Sequence, residues 1–198
     1  MSTYQYDLIV IGSGPAGEKG AAQAAYFGKR VALIERESGL GGAAANTGTL
    51  PSKTLRETAL YLSGFRQRGL FGVNMTFKES VTTRDFLYRE KLVKETEHKR
   101  IQGNLDRHRV DIYRGLGSLV DRHTVQVASS NGIFESYTAD YVLLATGSRP
   151  FRPAVFPFDD PRIYDSDTIL DLHDIPQNML VVGGGVIGCE YACMFAAL

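Results

Sequence analysis

The sequence predicts an α/β fold: a parallel sheet with helices and a small antiparallel excursion, followed by the start of a second unit of the same kind. Three observations predict it. A short apolar run, Leu8 to Ile11, leads directly into Gly12-Ser13-Gly14-Pro15-Ala16-Gly17 and an alanine-rich stretch. A second apolar run, Val31 to Ile34, ends on Glu35. About 170 residues after the first glycine cluster a second one, Gly183-Gly184-Gly185-Val186-Ile187-Gly188, again follows an apolar run.

The elements follow in order. Leu8 to Ile11 is short, apolar and β-branched, the pattern of a buried parallel strand. The alanine-rich stretch to about Gly28 is a good helix former. Val31 to Ile34 closes a strand–helix–strand unit of the usual length, about 30 residues. Residues 36–53 are irregular and glycine-rich. Pro51 suits a first helical turn, and Leu55, Ala59, Leu62 and Phe65 recur at helical spacing to about Arg68. Gly69 to Ser80 reads as a loop. A long helix is expected from Thr83 to Arg107, where Glu90/Lys94 and Glu95/Lys99 are i,i+4 pairs in the order that suits a solvated face. Asp111–Arg114, Thr124–Ala128 and Phe134–Tyr137 are expected as strands of the antiparallel excursion. Tyr141 to Ala145 is a further buried strand. Five of the seven prolines fall between Pro150 and Pro176, which marks a linker. Met179 to Val182 is expected as a strand, and the second glycine cluster opens a helix that reaches Leu198.

Composition excludes several function classes. The chain has 198 residues, 43% of them apolar, enough for a real core. Lys+Arg and Asp+Glu are both 22, so no basic excess points to nucleic acid or an anionic membrane. The two cysteines form no disulfide framework. The N-terminal apolar run lacks a basic region before it and is too short to span a bilayer. The setting expected from this is cytoplasmic.

The first glycine cluster has the context that dinucleotide binding needs. Gly12 permits the tight turn, Gly14 lets backbone approach a pyrophosphate, and Gly17 lets helix and strand pack closely. The pyrophosphate sits at the positive helix N-terminus, and Glu35 accepts from an adenosine ribose hydroxyl. These residues alone leave the nucleotide open between FAD and NAD. Gly183, Gly185 and Gly188 repeat the pattern, but the strand that would carry the second acidic residue lies beyond Leu198. The histidines at 98, 108, 123 and 173 show no metal-ligand spacing, and no metal site is expected. Cys189 and Cys193 are one helical turn apart, poorly placed for a mutual disulfide, and read as small buried packing residues.

GSGPAG, Glu35, the segment from Gly41 to Lys53, ATGSRP and GGGVIGCE occur in the order found in the FAD-dependent pyridine nucleotide–disulfide oxidoreductases, and the chain resembles that family over nearly its whole length. Within it the likeness is greatest to the soluble transhydrogenases, carried by GTLPSKTLRE, SGFRQR and RIYDSDTIL. The resemblance implies a Rossmann-like FAD-binding domain over 1–150, with a helical excursion over 51–109. A proline-rich linker would cover 151–177, and 178–198 would be the truncated start of a Rossmann-like NAD(P)-binding domain. It implies that Gly12, Ser13, Gly14, Pro15, Ala16 and Gly17 hold the FAD pyrophosphate, and that Glu35, next to Arg36, holds the adenosine ribose. Gly41, Gly42, Ala43, Ala44, Thr49 and Lys53 would line the flavin side, with Lys53 as the catalytic group at its reactive edge. Gly117 would meet the adenine, and Thr146, Gly147 and Ser148 would pass close to FAD. Gly183, Gly185, Val186, Ile187, Gly188 and Glu190 would belong to the nicotinamide nucleotide site.

One departure is informative. Disulfide reductases of the family carry redox cysteines where this chain has Ala44 and Thr49. Neither side chain supplies a thiolate, so disulfide exchange is excluded at this position. Flavin-mediated hydride transfer needs no thiol. The implied reaction is hydride transfer from NADPH to NAD⁺ through bound FAD, in a homodimer in the full-length form, with no nucleic-acid or membrane partner. Ala44 also departs from the transhydrogenases, which keep the first cysteine. The alternatives are a dihydrolipoamide dehydrogenase-like flavoprotein with another acceptor, and a non-catalytic FAD- or nucleotide-binding fragment. Family members are much longer, so a truncated chain is expected, with apolar surface exposed on the last helix.

Overall fold

The computed structural model describes residues 3–67 and 82–197. The chain forms two compact units, Met1–Asn46 with Glu95–Ser148, and Thr47–Lys94 with Arg149–Leu198. The loop expected at 69–80 lies outside the described residues.

The first unit is built on a six-stranded sheet. Strand β1 (Tyr6–Ile11) leads into helix α1 (Pro15–Tyr26) and strand β2 (Val31–Glu35). Strands β3 (Asp111–Arg114), β4 (Leu116–Leu119), β5 (Thr124–Ala128) and β6 (Phe134–Leu144) follow much later in the chain. The order is β3-β2-β1-β6-β5-β4. The pairs β3–β2, β2–β1 and β1–β6 are parallel, while β6–β5 and β5–β4 are antiparallel.

Period-two alternation divides the sheet between two cores. Val10, Val31 and Leu33 face α1 and the later turns of helix α4 (Thr83–Arg107), meeting Ala21, Ile101 and Leu105. Ile9, Ile11, Ala32 and Ile34 face the other way and are covered by Val125 and Val127 of β5. With both faces covered, every residue of β2 is buried, and the sequence is apolar from Val31 to Ile34.

The structure corrects two expectations here. Asp111–Arg114 belongs to the parallel sheet beside β2, not to the antiparallel excursion. Phe134–Tyr137 and Tyr141–Ala145 are not separate strands. Apart from Ala145 they fall in one eleven-residue strand, β6, which pairs with β5 through Phe134–Thr138 and with β1 through Ala139–Leu144, and Tyr141 and Leu144 are exposed rather than buried as expected. Strand β4 was not expected, because Leu116 and Leu119 are both exposed and give no alternating signal.

The second unit is helical. Its members are α3 (Thr49–Gln67), the first turns of α4, a 3-10 turn at Thr168–Asp171 and α5 (Val186–Ala196). A fifth helix, the short α2 (Gly42–Asn46), belongs to the first unit. Thr82 starts α4 as a cap: its hydroxyl donates to Asp85 Oδ2 at 2.6 Å and lies 3.3 Å from the Asp85 amide. Leu55 and Ala59 of α3, Phe86 and Leu87 of α4, Ile169, Leu170 and Leu172, and Tyr191 and Met194 of α5 make one apolar cluster.

Three further expectations are overturned in this unit. Met179–Val182 is not a strand: Leu180 is 89% exposed, and no strand lies beside it among the described residues. A parallel strand needs a neighbour to satisfy its backbone, and the described residues place none there. Helix α5 therefore packs on α3 and α4, with Val186 and Ile187 exposed. Without a sheet against that helix, Cys189 and Cys193 are exposed rather than buried. Glu90 does not sit on a solvated face: it is 3% exposed, its Oε1 is buried without a hydrogen-bond partner, and burial pushes its carboxyl above the ordinary glutamate range. Lys94 and Lys91 oppose that rise and Asp171 adds to it.

Candidate functional site

The parallel register places the ends of β1, β2 and β6 at one edge. Ile11 pairs with Ile34 on one side and Leu144 on the other. The chain segments that leave these ends therefore meet there. In parallel α/β sheets, ligands bind outside the carboxyl ends of the strands.

The first of these segments is the turn Gly12–Gly17. Gly12 has φ +104°, and a side chain on it would lie 2.3 Å from the Ala145 carbonyl oxygen. Its amide donates to the Ile34 carbonyl at 2.8 Å, fixing the turn to β2. A Cβ on Gly17 would lie 1.8 Å from the Gly12 carbonyl oxygen, so only glycine lets α1 start this close to β1. Gly14 is the N-cap of α1 and supplies no side-chain cap, while Pro15 occupies the first turn, where a missing N–H costs nothing. The first-turn donors of α1 are thus left uncapped by any side chain, an arrangement that suits an anion.

Glu35 ends β2 and is 6% exposed. Its Oε2 accepts from the Ser13 amide at 2.9 Å and the Ser13 hydroxyl at 2.5 Å, and its Oε1 accepts from the Glu37 amide at 2.9 Å. Arg36 points away into an exposed pair with Glu37 at 3.0 Å. The Gly41 amide reaches Ser13 as well, 3.0 Å from its hydroxyl and 3.1 Å from its carbonyl oxygen. A side chain on Gly42 would lie 2.9 Å from Gly14 Cα, so the two backbones pass close together at the start of α1.

Two braces that the sequence did not signal lie nearby, one holding this second glycine pair and one tying α1 to α4. Asn46 donates to the Leu40 and Gly42 carbonyls at 3.1 and 2.8 Å, and its Oδ1 lies 2.8 Å from His98 Nε2 on α4. Glu18, one turn into α1 and 2% exposed, receives Asn104 at 2.8 Å, Lys19 at 3.1 Å and Arg100 at 3.2 and 3.3 Å. Burial pushes its carboxyl up, but the bonds from Arg100, Lys19 and Asn104 outweigh burial and hold it below the usual range.

The remaining expected residues divide between the units. In the first, Ala43 is exposed and Ala44 half-buried on α2; Thr146, Gly147 and Ser148 are exposed just past β6; Gly117 lies on β4 over Ile11 and Ile34. In the second, Thr49 and Lys53 are exposed on α3. There too, Gly183 has φ +112°, Gly185 is the N-cap of α5, and a Cβ on Gly188 would lie 2.7 Å from the Gly183 oxygen. Val186 and Ile187 are exposed in its first turn and Glu190 is half-buried. Among the described residues no group of three or more His, Cys, Asp or Glu could hold a metal ion.

A different concavity, of about 420 Å³, opens at the amino ends of β1, β2 and β3. Its hydroxyls are already engaged: Tyr6 donates to Asp111 at 2.8 Å and lies 2.6 Å from the Tyr113 hydroxyl, and Tyr137 donates to Glu135 at 2.8 Å. The glycine turns and the acidic residue lie at the opposite end.

A glycine turn at the carboxyl edge of a parallel sheet, with an acid ending the second strand, is shared by many nucleotide-binding proteins. Comparison with known proteins narrows it. The family model described as pyridine nucleotide-disulphide oxidoreductase matches residues 6–198. The chain belongs to this family. A soluble pyridine nucleotide transhydrogenase of Mycobacterium bovis is 49% identical over 195 residues, covering 98% of this chain and 42% of the relative. One from Pseudomonas fluorescens is 43% identical over 204 residues, covering 100% and 42%. Among solved structures, the Cu(II) complex of the HOCl-induced flavoprotein disulfide reductase RclA from Escherichia coli superimposes with a TM-score of 0.81 at 28% identity, over all of this chain and 41% of that one. The chain thus spans about two-fifths of the length of these relatives. Its α/β sheet with helices is the fold expected of the family.

Proposed function

We propose that this chain forms the FAD-binding part, and the beginning of the nicotinamide nucleotide-binding part, of a flavoprotein that transfers hydride between NADPH and NAD⁺. The observation that carries the reading is the meeting of Gly12–Gly17, Glu35, Gly41–Gly42 and the exit of β6 at one sheet edge. The residues there fit the group. Gly14 and Gly42 leave backbone bare where a pyrophosphate must come close, α1 offers uncapped donors to its charge, and Glu35 offers a carboxylate to a ribose hydroxyl.

Bound FAD would supply a two-electron carrier that accepts hydride from one nicotinamide and returns it to another without a thiol. The chain's own residues bind and orient. Gly12, Gly14, Pro15, Ala16 and Gly17 hold the diphosphate, with Ser13 acting beneath them. Glu35 holds the adenosine ribose and Gly117 lies along the adenine side. Gly41, Gly42, Ala43, Ala44 and Thr49 line the flavin side. Thr146, Gly147 and Ser148 carry the chain past the cofactor. Lys53 places a positive charge at the flavin's reacting edge. Gly183, Gly185, Val186, Ile187, Gly188 and Glu190 begin the nicotinamide nucleotide site, in a domain starting near residue 178. The names of the mycobacterial and pseudomonad relatives support this choice of reaction, and Ala44 and Thr49 support a mechanism free of a redox disulfide. A homodimer in a cytoplasmic setting completes the proposal; no helix among the described residues is long and apolar enough to cross a membrane.

The test is the visible spectrum of the purified chain after reconstitution with FAD and desalting, then anaerobic addition of NADPH and NAD⁺ in turn. A retained, structured flavin band supports the cofactor site, and bleaching by NADPH with recovery on NAD⁺ supports the reaction. A colourless chain overturns the cofactor site. A retained band that NADPH does not bleach favours a non-catalytic FAD-binding module.

A further inference from the structure

The hydrogen bonds of Glu35 leave little of its carboxylate free. Each carboxylate oxygen accepts about two hydrogen bonds. Oε2 already takes two, from the Ser13 amide at 2.9 Å and hydroxyl at 2.5 Å. Oε1 takes one, from the Glu37 amide at 2.9 Å. One acceptor position therefore remains, and it is on Oε1.

Ser13 itself has no exposed surface. It cannot touch a nucleotide, and its amide points at Glu35 rather than outward. Its hydroxyl donates to Glu35 and lies 3.0 Å from the Gly41 amide as acceptor, so one oxygen joins the turn after β1, the end of β2 and the Gly41–Gly42 segment. Bonds to an ionised acceptor are about twice as strong as neutral ones, so this oxygen is well placed to lock a carboxylate that would otherwise rotate.

We propose that Ser13 is a positioning residue that locks Glu35 with a single free acceptor on Oε1, making it the reader of one ribose hydroxyl of an adenosine nucleotide. The proposal rests on the cofactor reading above. It accounts for a buried serine between Gly12 and Gly14, which are both half-buried. It also separates two roles in the turn: Gly14 and the start of α1 face the diphosphate, and Ser13 acts on the ribose through Glu35.

The experiment measures dissociation constants of FAD and of FMN, which lacks the adenosine half, for the 198-residue chain and its variants Ser13→Ala, Glu35→Gln and the double substitution. Thermal unfolding of each ligand-free chain is recorded alongside. Ser13→Ala should weaken FAD about tenfold and FMN less than twofold. In the Glu35→Gln background the same change should cost FAD less than twofold, because the residue it acts through is already altered. If Ser13→Ala does not fold, Ser13→Cys, with its weaker donor, should show the same selective loss at about threefold. A wild-type chain that binds FAD no differently from Ser13→Ala overturns the role of Ser13 alone. So does an equal loss of FAD and FMN, the mark of a merely structural residue, or full additivity in the double variant. A wild-type chain that does not bind FAD overturns the cofactor reading, and the role of Ser13 with it.

Discussion

A Cβ on Gly188 would lie 2.7 Å from the carbonyl oxygen of Gly183, five residues before it, and a Cβ on Gly17 would lie 1.8 Å from the oxygen of Gly12, also five residues before it. The two turns share more than spacing. Gly12 and Gly183 have φ of +104° and +112°, and the helices open with Glu18 N donating to Gly14 O at 2.8 Å and Cys189 N to Gly185 O at 3.0 Å. Only the first turn follows a strand in a sheet. The turn is therefore a local property of its glycines, and the sheet is not needed to form it.

The two turns should respond differently to the same substitution. Gly17→Ala drives a methyl group into backbone tied to both β1 and β2, and should cost about 3 kcal/mol or more of unfolding free energy, at the upper end for overpacking. Gly188→Ala meets a longer distance and no sheet, and should cost less, about 1–2 kcal/mol. Urea unfolding of the two variants measures both, and equal losses would contradict the argument.

Glu18 and Glu90 predict opposite responses to acid. The Glu18 carboxyl is held low in the folded chain by Arg100, Lys19 and Asn104 against the effect of burial. Its contribution is present above the ordinary glutamate range and is lost as pH falls through the folded value. Glu18→Gln should flatten the acid limb of a stability–pH curve and cost about 1–2 kcal/mol at neutral pH, since Arg100 is half exposed and screened.

For Glu90 the sign reverses. Burial raises its folded value, so the folded chain binds the extra proton, and stability declines as pH rises from the ordinary glutamate range toward that raised value. Glu90→Met places an apolar group among Phe86, Leu87 and Tyr191 and removes the unpartnered Oε1. It should stabilise the chain by about 1 kcal/mol at pH 7 and leave it unchanged near pH 4. Thermal melts of both proteins at the two pH values decide it.

Fold and site were legible to different depths. The β1–α1–β2 unit could be read because its signals are local: a short apolar run, a glycine turn, alanine spacing and a terminal acid. Helix α4 has the bounds its pattern predicts, set at one end by the Thr82–Asp85 cap. Glu90 was misread because residues of its surroundings, Asp171 and Tyr191 among them, lie about 80 to 100 positions further on. Met179–Val182 was misread because a strand is defined by its neighbour, and apolar composition alone does not supply one. In the site, the glycines and Glu35 were evident, but the bond from Ser13 to Glu35 was not, since a serine inside a glycine turn carries no signal of which way its hydroxyl turns.

In the proposed reaction Lys53 would supply the positive charge at the flavin's reacting edge. Lys53→Met should leave the FAD dissociation constant within threefold while slowing flavin bleaching by NADPH about 100-fold, the usual scale for losing one charge aimed at a reacting centre. Stopped-flow absorbance separates the two, and a normal bleaching rate would remove Lys53 from the reaction.

Thiol chemistry gives an independent check. Cys189 and Cys193 are both exposed, so iodoacetamide should label the native chain at two sites without prior unfolding. FAD affinity should not change, because neither cysteine is among the residues proposed to hold that cofactor. Intact mass and flavin titration of the alkylated chain test both statements.

Strand β6 bears on how the protein is made. The turn at Gly12 closes on Ala145, and the strand that brings Ala145 there emerges about 130 residues later. At the usual pace of translation, roughly 5 to 20 residues per second, the turn is complete in sequence for about 7 to 27 seconds before its neighbour exists. During that interval Ile9 and Ile11 lack both the strand beside them and the β5 residues that cover them. The nascent chain thus carries an open sheet edge, a natural target for a chaperone, and the proposed cofactor site is among the last features of its unit to close.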